Sequence, residues 1–229
     1  MATALEFHSI DEIIAEIGEG RMVIVADDPG RENEADLVAA ASLCTTETVS
    51  FMAVHGRGLI CAPITAARAE QLELPQMTRR NREGHKTAFT ISVDAAEGIT
   101  TGISAADRAL CIRQLADAAR GADDFVQPGH VFPLQSMPGG TLRRAGHTEA
   151  AIDLARLAGL PPAGVICEIM NDDGTMARVG ELGDFQRKHD LKACTIAQLI
   201  EHRRRFEKLV PREEPIRLPT DNGEYECHL

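Results

Sequence analysis

The sequence predicts a mixed-sheet α/β or α+β sandwich, and three observations lead there. Along the 229 residues, segments with helical apolar spacing alternate with short apolar runs of strand length. Several connections between the strand-like runs are too short for the crossover that parallel neighbours need, which disfavours a purely parallel doubly wound sheet. Apolar residues make up 44% of the chain, enough to give one large domain or two small ones a full core.

The elements follow in order. Ser9-Ile-Asp-Glu12 is a capping box, and Ile10, Ile13, Ile14 and Ile17 form one apolar helical face that Gly18 and Gly20 terminate. Met22–Val25 and Leu37–Ala41 read as strands on either side of an acidic connection. Thr45 or Thr46 caps a helix with Val49, Met52 and Ala53 facing inward. Leu59–Ala62 reads as a buried strand, Thr65 starts a short helix, and Pro75 marks a loop. Asn81 to Lys86 is polar and exposed, and Thr87 to Val93 alternates at strand period. A second capping box, Ser104 to Asp107, opens a helix reaching Gly121, with Leu110, Leu115 and Ala118 on one side. Pro128-Gly-His130 predicts a tight turn into Val131–Leu134, and Gly139-Gly140 another turn. A helix runs from Thr148 to Ala158 with Gly159 at its C-terminal cap, followed by a strand, Val165–Met170, and a turn, Asn171–Gly174. Thr195 caps a last amphipathic helix with Leu199, Ile200 and Phe206, and a basic cluster at Arg203–Arg205.

Composition excludes several function classes. The net charge of −11 opposes general nucleic-acid binding, which needs a basic face. Aromatics are few, with no Trp and one Tyr, so base stacking is unsupported. Six scattered cysteines, none in a Cys-x-x-Cys pair, fit reduced thiols and a cytoplasmic location. The N-terminal residues carry no secretion signal, and no apolar run approaches bilayer length, so a membrane role is not expected. Neither of the common Gly-rich nucleotide-binding patterns is present.

Five carboxylates (Asp27, Asp28, Glu32, Glu34, Asp36) and Arg31 crowd the connection between the first two strands, with Pro29-Gly30 as turn residues. Such a loop is either a solvated acidic turn or a site for a hard divalent cation. Arg144-Ala145-Gly146-His147-Thr148 stands at a helix start, where free N–H groups and the helix dipole favour a phosphate. Arg144 and the Thr148 hydroxyl add donors and Gly146 permits close approach, whereas a capped helix with a surface Arg and His is the plainer reading. That logic does not assign His147, although an imidazole beside such a cradle suits a metal ligand. His130 has the titration range of a general base but also the setting of a structural turn histidine. Glu168 interrupts an apolar strand, which suits either a catalytic acid–base or an exposed strand edge. Cys61 is a small core residue or, less simply, a reactive thiol.

Taken together these stretches resemble 3,4-dihydroxy-2-butanone 4-phosphate synthase, the riboflavin-pathway enzyme that acts on ribulose 5-phosphate. The resemblance runs from about Phe7 to Phe206. Its motifs are Asp27-Asp28 with Arg31–Glu34 and Asp36, Thr100–Arg108, Pro128–Leu134, Arg144–Ala150, and Cys167-Glu168 with Asn171–Arg178. It implies a homodimer with a three-layer mixed-sheet sandwich and two Mg²⁺ (or Mn²⁺) ions at each active site. It further implies Glu32 and His147 as metal ligands. Substrate would be held by Arg31, Glu32, Asp36, Glu168 and the segment Arg144, Ala145, Gly146, His147 and Thr148. His130 and Glu168, with Asp36 and Glu32, would serve catalysis. The chain departs from the family pattern at Pro29-Gly30, where further acidic residues are usual, at Ala35 and at Gln135-Ser136. Arg212 to Tyr225 resembles the opening strand of GTP cyclohydrolase II, so residues 1–208 are expected to be the synthase domain. Residues 209–229 would be a linker and the incomplete start of a second domain of a bifunctional protein.

Overall fold

β1 (Val23–Ala26) and β2 (Ala35–Ala40) pair antiparallel, Val23 opposite Val38 and Ala26 opposite Ala35, with the acidic stretch as their connection. Every residue of both strands is buried. Side-chain alternation therefore feeds two cores rather than a core and solvent. Val23, Val25, Val38 and Ala40 enter one core; Ile24, Ala26, Leu37 and Ala39 enter the other. That sequence pattern makes a central layer covered on both faces. The computed structural model describes residues 4–207, 216–220 and 223–227.

The other strands of the sheet are β3 (Cys61–Ile64), β4 (Val93–Ala95), β5 (Phe125–Gln135), β6 (Gly164–Glu168) and β7 (Lys192–Thr195). They assemble in the order β4-β5-β3-β6-β2-β1-β7. β1·β7 and β3·β5 are parallel, and the remaining pairs are antiparallel. The sheet is mixed, as predicted.

The helices are α1 (Ile10–Gly18), α2 (Thr46–Phe51), α3 (Ala66–Gln71), α4 (Ala105–Ala116), α5 (His147–Leu157), α6 (Gly183–His189) and α7 (Ile196–Phe206). Ile13 and Ile17 of α1, Leu154 of α5 and Leu199 of α7 pack on one face of the sheet. Val49 of α2 and Ile112 and Leu115 of α4 pack on the other. The result is a three-layer sandwich. Ser9, Thr45, Thr65, Ser104 and Thr195 each accept an amide from the first turn of the helix they precede, as their positions predicted.

Six local expectations need correction. Leu59 is exposed, and the strand expected over Leu59–Ala62 is β3, which begins only at Cys61. Thr87–Val93 is not a continuous strand; Phe89 and Thr90 make isolated bridges, and only Val93 joins β4. α4 stops at Ala116 because the Arg68 guanidinium takes the carbonyls of Gln114, Leu115, Asp117 and Arg120, leaving Ala118 exposed. Pro128-Gly-His130 lies within β5 rather than in a turn, and Gly129 there lets the strand press on the Val93–Asp94 backbone. Ala53 is exposed because α2 runs into a π-turn at Met52–Gly56, which rotates it away from the core. Phe206 is exposed at the end of α7. α6 and β7 were not anticipated. The tail residues form a separate antiparallel hairpin, β8 (Ile216–Thr220) with β9 (Gly223–Cys227).

Candidate active site

The acidic connection is folded on its own first residue. The buried Asp27 carboxylate accepts the amides of Glu32 (3.1 Å) and Glu34 (2.9 Å) and the Arg31 guanidinium (3.0 Å). These bonds curl the loop and turn the Glu32 side chain inward; Asn33 supplies the left-handed residue the curl requires. Pro29-Gly30 sits on the exposed outer turn, where Asp28 accepts the Gly30 amide. Among the described residues, Asp27, Glu32 and His147 have ligand atoms within 4.8 Å of one another.

His147 reaches this group from the first turn of α5. Its Nε2 lies 3.1 Å from the Val25 carbonyl, an acceptor only, so the ring proton resides there and Nδ1 keeps its lone pair. Burial pushes its pKa down to about 4, so the imidazole is neutral near pH 7. A neutral ring and adjacent carboxylates form a donor set suited to Mg²⁺ or Mn²⁺.

Asp36 and Glu168 stand directly opposite each other on β2 and β6. Like charges at paired positions destabilise a sheet, so this pair is a structural cost that function has to explain. Burial, then Glu168 and the other loop carboxylates, hold the Asp36 carboxyl well above its ordinary range. Burial and Glu32 raise Glu34 as well. Glu168 is anchored: its Oε2 accepts the Leu59 amide at 2.8 Å. Gly58 lies against the same carboxylate so closely that a Cβ would come within 2.5 Å of Oε2.

α5 begins without a side-chain cap, because its N-cap is Gly146. Its first amides thus remain available to an anion. A Cβ at Gly146 would lie 2.3 Å from Arg144 Nη1, so glycine is needed for the arginine to fold back over the helix start. Glu149, 1% exposed, aims Arg144 through a 2.6 Å contact, and Thr87 Oγ1 takes its other branch at 3.1 Å.

Arg31, Glu32, Asp36, Arg144, His147, Thr148 and Glu168 all line one cleft of about 190 Å³. Gly146, the N-cap of α5, and the exposed Ala145 do not themselves line it. A second hollow of about 240 Å³, bearing Lys86 and Ser136, shares Arg144 and Thr148 with it. His130 does not line the cleft; it lies on β5 against Asp94, with its side chain 44% exposed. Cys61 lines the cleft wall, but burial raises its thiol above the ordinary range, which leaves it a core residue. Glu34, Glu83 and Thr87 also line the cleft without having been assigned a role from sequence. Glu34 was visible inside the Arg31–Glu34 motif, whereas Glu83 and Thr87 come from a loop whose approach only the fold reveals.

Comparison with known proteins identifies the family and the fold. The family model for 3,4-dihydroxy-2-butanone 4-phosphate synthase matches residues 11–202. The riboflavin biosynthesis protein RibBA of Aquifex aeolicus is 56% identical over 97% of this chain and 55% of its own length. RibBA of Bacillus mycoides is 53% identical over 96% of this chain, again 55% of its own length. The chain thus spans about half the length of these curated relatives. The crystal structure of RibBX, a two-domain 3,4-dihydroxy-2-butanone 4-phosphate synthase from A. baumannii, is 49% identical with a TM-score of 0.87, covering 96% of this chain and 65% of that one. A 3,4-dihydroxy-2-butanone 4-phosphate synthase crystallised with two magnesium ions is 45% identical with a TM-score of 0.84, covering 89% of this chain and all of that one. With the family model spanning most of the chain and relatives above half identity, the chain belongs to the 3,4-dihydroxy-2-butanone 4-phosphate synthase family.

Proposed function

We propose that this chain is a lyase that converts D-ribulose 5-phosphate to L-3,4-dihydroxy-2-butanone 4-phosphate and formate in riboflavin biosynthesis. The observation that carries the reading is the convergence of Glu32, His147, Asp36, Glu168 and Arg144 on one cleft at the start of α5. Ribulose 5-phosphate must lose a proton from C3 and the C1 hydroxyl, rearrange its skeleton, and expel C4 as formate. Each stage places negative charge on adjacent oxygens.

Glu32 and His147 would hold Mg²⁺ or Mn²⁺, two ions per site, with the Asp27 carboxylate close beside them. Bound there, a divalent cation stabilises negative charge on neighbouring substrate oxygens without moving protons itself. Arg144, the Thr148 hydroxyl and the open amides of α5 bind the phosphate, and Arg31 and Asp36 orient the sugar. Glu168, fixed on one oxygen by the Leu59 amide, keeps the other free to move protons at the sugar carbons. His130 is the second proton carrier. Because it lies outside the cleft of its own chain, we assign it to the cleft of a second copy in a homodimer.

Residues 1–208 then form the cytoplasmic synthase domain. Residues 209–229 are a linker and the start of a GTP cyclohydrolase II-like segment of a bifunctional protein, on the resemblance of Arg212–Tyr225. No nucleic acid or membrane enters this reading; among the described residues no helix is long and apolar enough to cross a bilayer. The test is product analysis of ribulose 5-phosphate incubated with chelator-treated protein before and after Mg²⁺ is restored. Formate and a four-carbon phosphate, both dependent on the metal, are expected. Free phosphate or an isomeric pentose phosphate would replace this reading with that of another sugar-phosphate enzyme.

A further inference from the structure

The Thr100–Arg108 motif takes no part in the cleft, yet it is built around a buried carboxylate. Asp107, in the first turn of α4, accepts the Thr100 amide (3.2 Å), the Thr100 hydroxyl (2.7 Å) and the Gly102 amide (3.0 Å). These bonds tie the 100–102 loop to the first turn of α4. Gly102 has φ +90°, and a Cβ on it would meet Asp94 Oδ2 at 2.2 Å and His130 Nδ1 at 2.7 Å. The loop therefore lies flush over one particular contact, that between Asp94 and His130.

Asp94 gives both of its oxygens to this histidine. Oδ1 accepts the His130 amide at 2.9 Å, and Oδ2 lies 2.7 Å from Nδ1. The Asp94 side chain is 8% exposed and the imidazole 44% exposed, so one edge of the ring is buried on the carboxylate and the other faces outward. With Oδ2 accepting, the neutral ring carries its proton on Nδ1 and presents Nε2 as a lone pair. A tie between β4 and β5 would need only one of these bonds. The two together fix ring orientation and tautomer.

We propose that Asp94 is a positioning residue for His130, holding it in the Nδ1–H tautomer so that Nε2 can accept a proton, and that the Asp107-pinned Thr100–Gly102 loop seats this pair. The proposal rests on the reading of His130 as a proton carrier. It gives the motif a role: Asp107 shapes the loop, Gly102 leaves the space, and Asp94 orients the ring.

The test uses Asp94→Asn, His130→Gln and Gly102→Ala in the full chain, with turnover, melting temperature and ¹⁵N spectra of the histidine rings. Asn at position 94 keeps the shape but offers an amide N–H to Nδ1, which drives the ring proton to Nε2. Asp94→Asn is expected to lower kcat about 10²- to 10⁴-fold, the range for a misdirected acid–base group, with KM within about twofold. The His130 ring signal, assigned by its loss in His130→Gln, should move from the Nδ1–H to the Nε2–H pattern. Gly102→Ala should lower kcat in the same direction by displacing the pair. Wild-type turnover in Asp94→Asn, or a loss of activity that tracks melting temperature while the tautomer is unchanged, would overturn the proposal. His130→Gln with wild-type turnover would instead remove the parent reading, and the proposal with it.

Discussion

Two residues decide whether the cleft works, and they act in opposite ways. Glu32 contributes a charge: the curl that Asp27 imposes brings its carboxylate to His147. Glu32→Gln keeps the side-chain volume and removes that charge, so we expect formate release to fall by roughly two to four orders of magnitude with the melting temperature preserved. Calorimetric titration with Mg²⁺ should show the accompanying loss of affinity; near-normal turnover would dismiss Glu32 as a ligand. Gly58 contributes an absence. Any side chain there collides with the Glu168 carboxylate that the Leu59 amide holds. Gly58→Ala should displace that carboxylate by a fraction of an ångström or more and lower kcat about 10²-fold, while Mg²⁺ affinity stays unchanged. Steady-state kinetics with a metal titration separates the two variants. Neither Gly58 nor the Asp94–His130 pair was legible in the sequence, because each partner is remote along the chain. The acidic loop and the Arg144–Thr148 segment stood out locally by charge and by a Gly-led helix start, but each also allowed a plain solvated reading, and it is the fold that brings them to one cleft.

At the scale of elements, α7 shows how a charged helix is fixed on an apolar layer. Its basic cluster is not a uniform solvated face. Arg203 is buried between Asp153 (2.8 Å) and Glu207, whose carboxylate also meets Arg156. The Arg203 side chain, then Arg156, holds the Glu207 carboxyl down to about 2, below its ordinary value near 4.5. Glu207 is a group with a depressed folded-state pKa. Its contribution to stability is present above the ordinary value and is lost as pH falls from about 4.5 toward about 2. Glu207→Gln should therefore lower the melting temperature at pH 7, and the gap to the parent chain should close on acidification through that window. Thermal melts at several pH values check it; a gap independent of pH would contradict the pairing. Helix caps were read correctly at Ser9, Thr65, Ser104 and Thr195, and to within one residue at Thr45, because a cap is a local device. α6 was missed since Gly-Asp-Phe-Gln-Arg-Lys-His carries one large apolar side chain, too few to set a helical period. β7 was missed because its four residues acquire strand geometry only by pairing with β1.

For the whole molecule, the sandwich explains where the site must lie. β2 and β6 run antiparallel side by side and bring Asp36 and Glu168 together at their ends, while α5 delivers His147 over the same edge. The like-charged pair, the buried imidazole and the uncapped helix start each oppose stability when taken alone. Placed around one cleft, they set carboxylates at one end and Arg144 with the open start of α5 at the other, an acidic pole beside a basic one. That polarity fits ribulose 5-phosphate, with its phosphate at one end and vicinal oxygens at the other. The mixed sheet was foreseen from the alternation of helices and strands and from connections too short for crossovers; the remoteness of His130 from the cleft was not, because its place on β5 against Asp94 emerges only with the fold. The most direct measurement of the central claim is ¹³C NMR of the reaction with ribulose 5-phosphate labelled at C4. The account predicts that the label leaves as formate in the presence of Mg²⁺. Label retained in the phosphorylated product would contradict it.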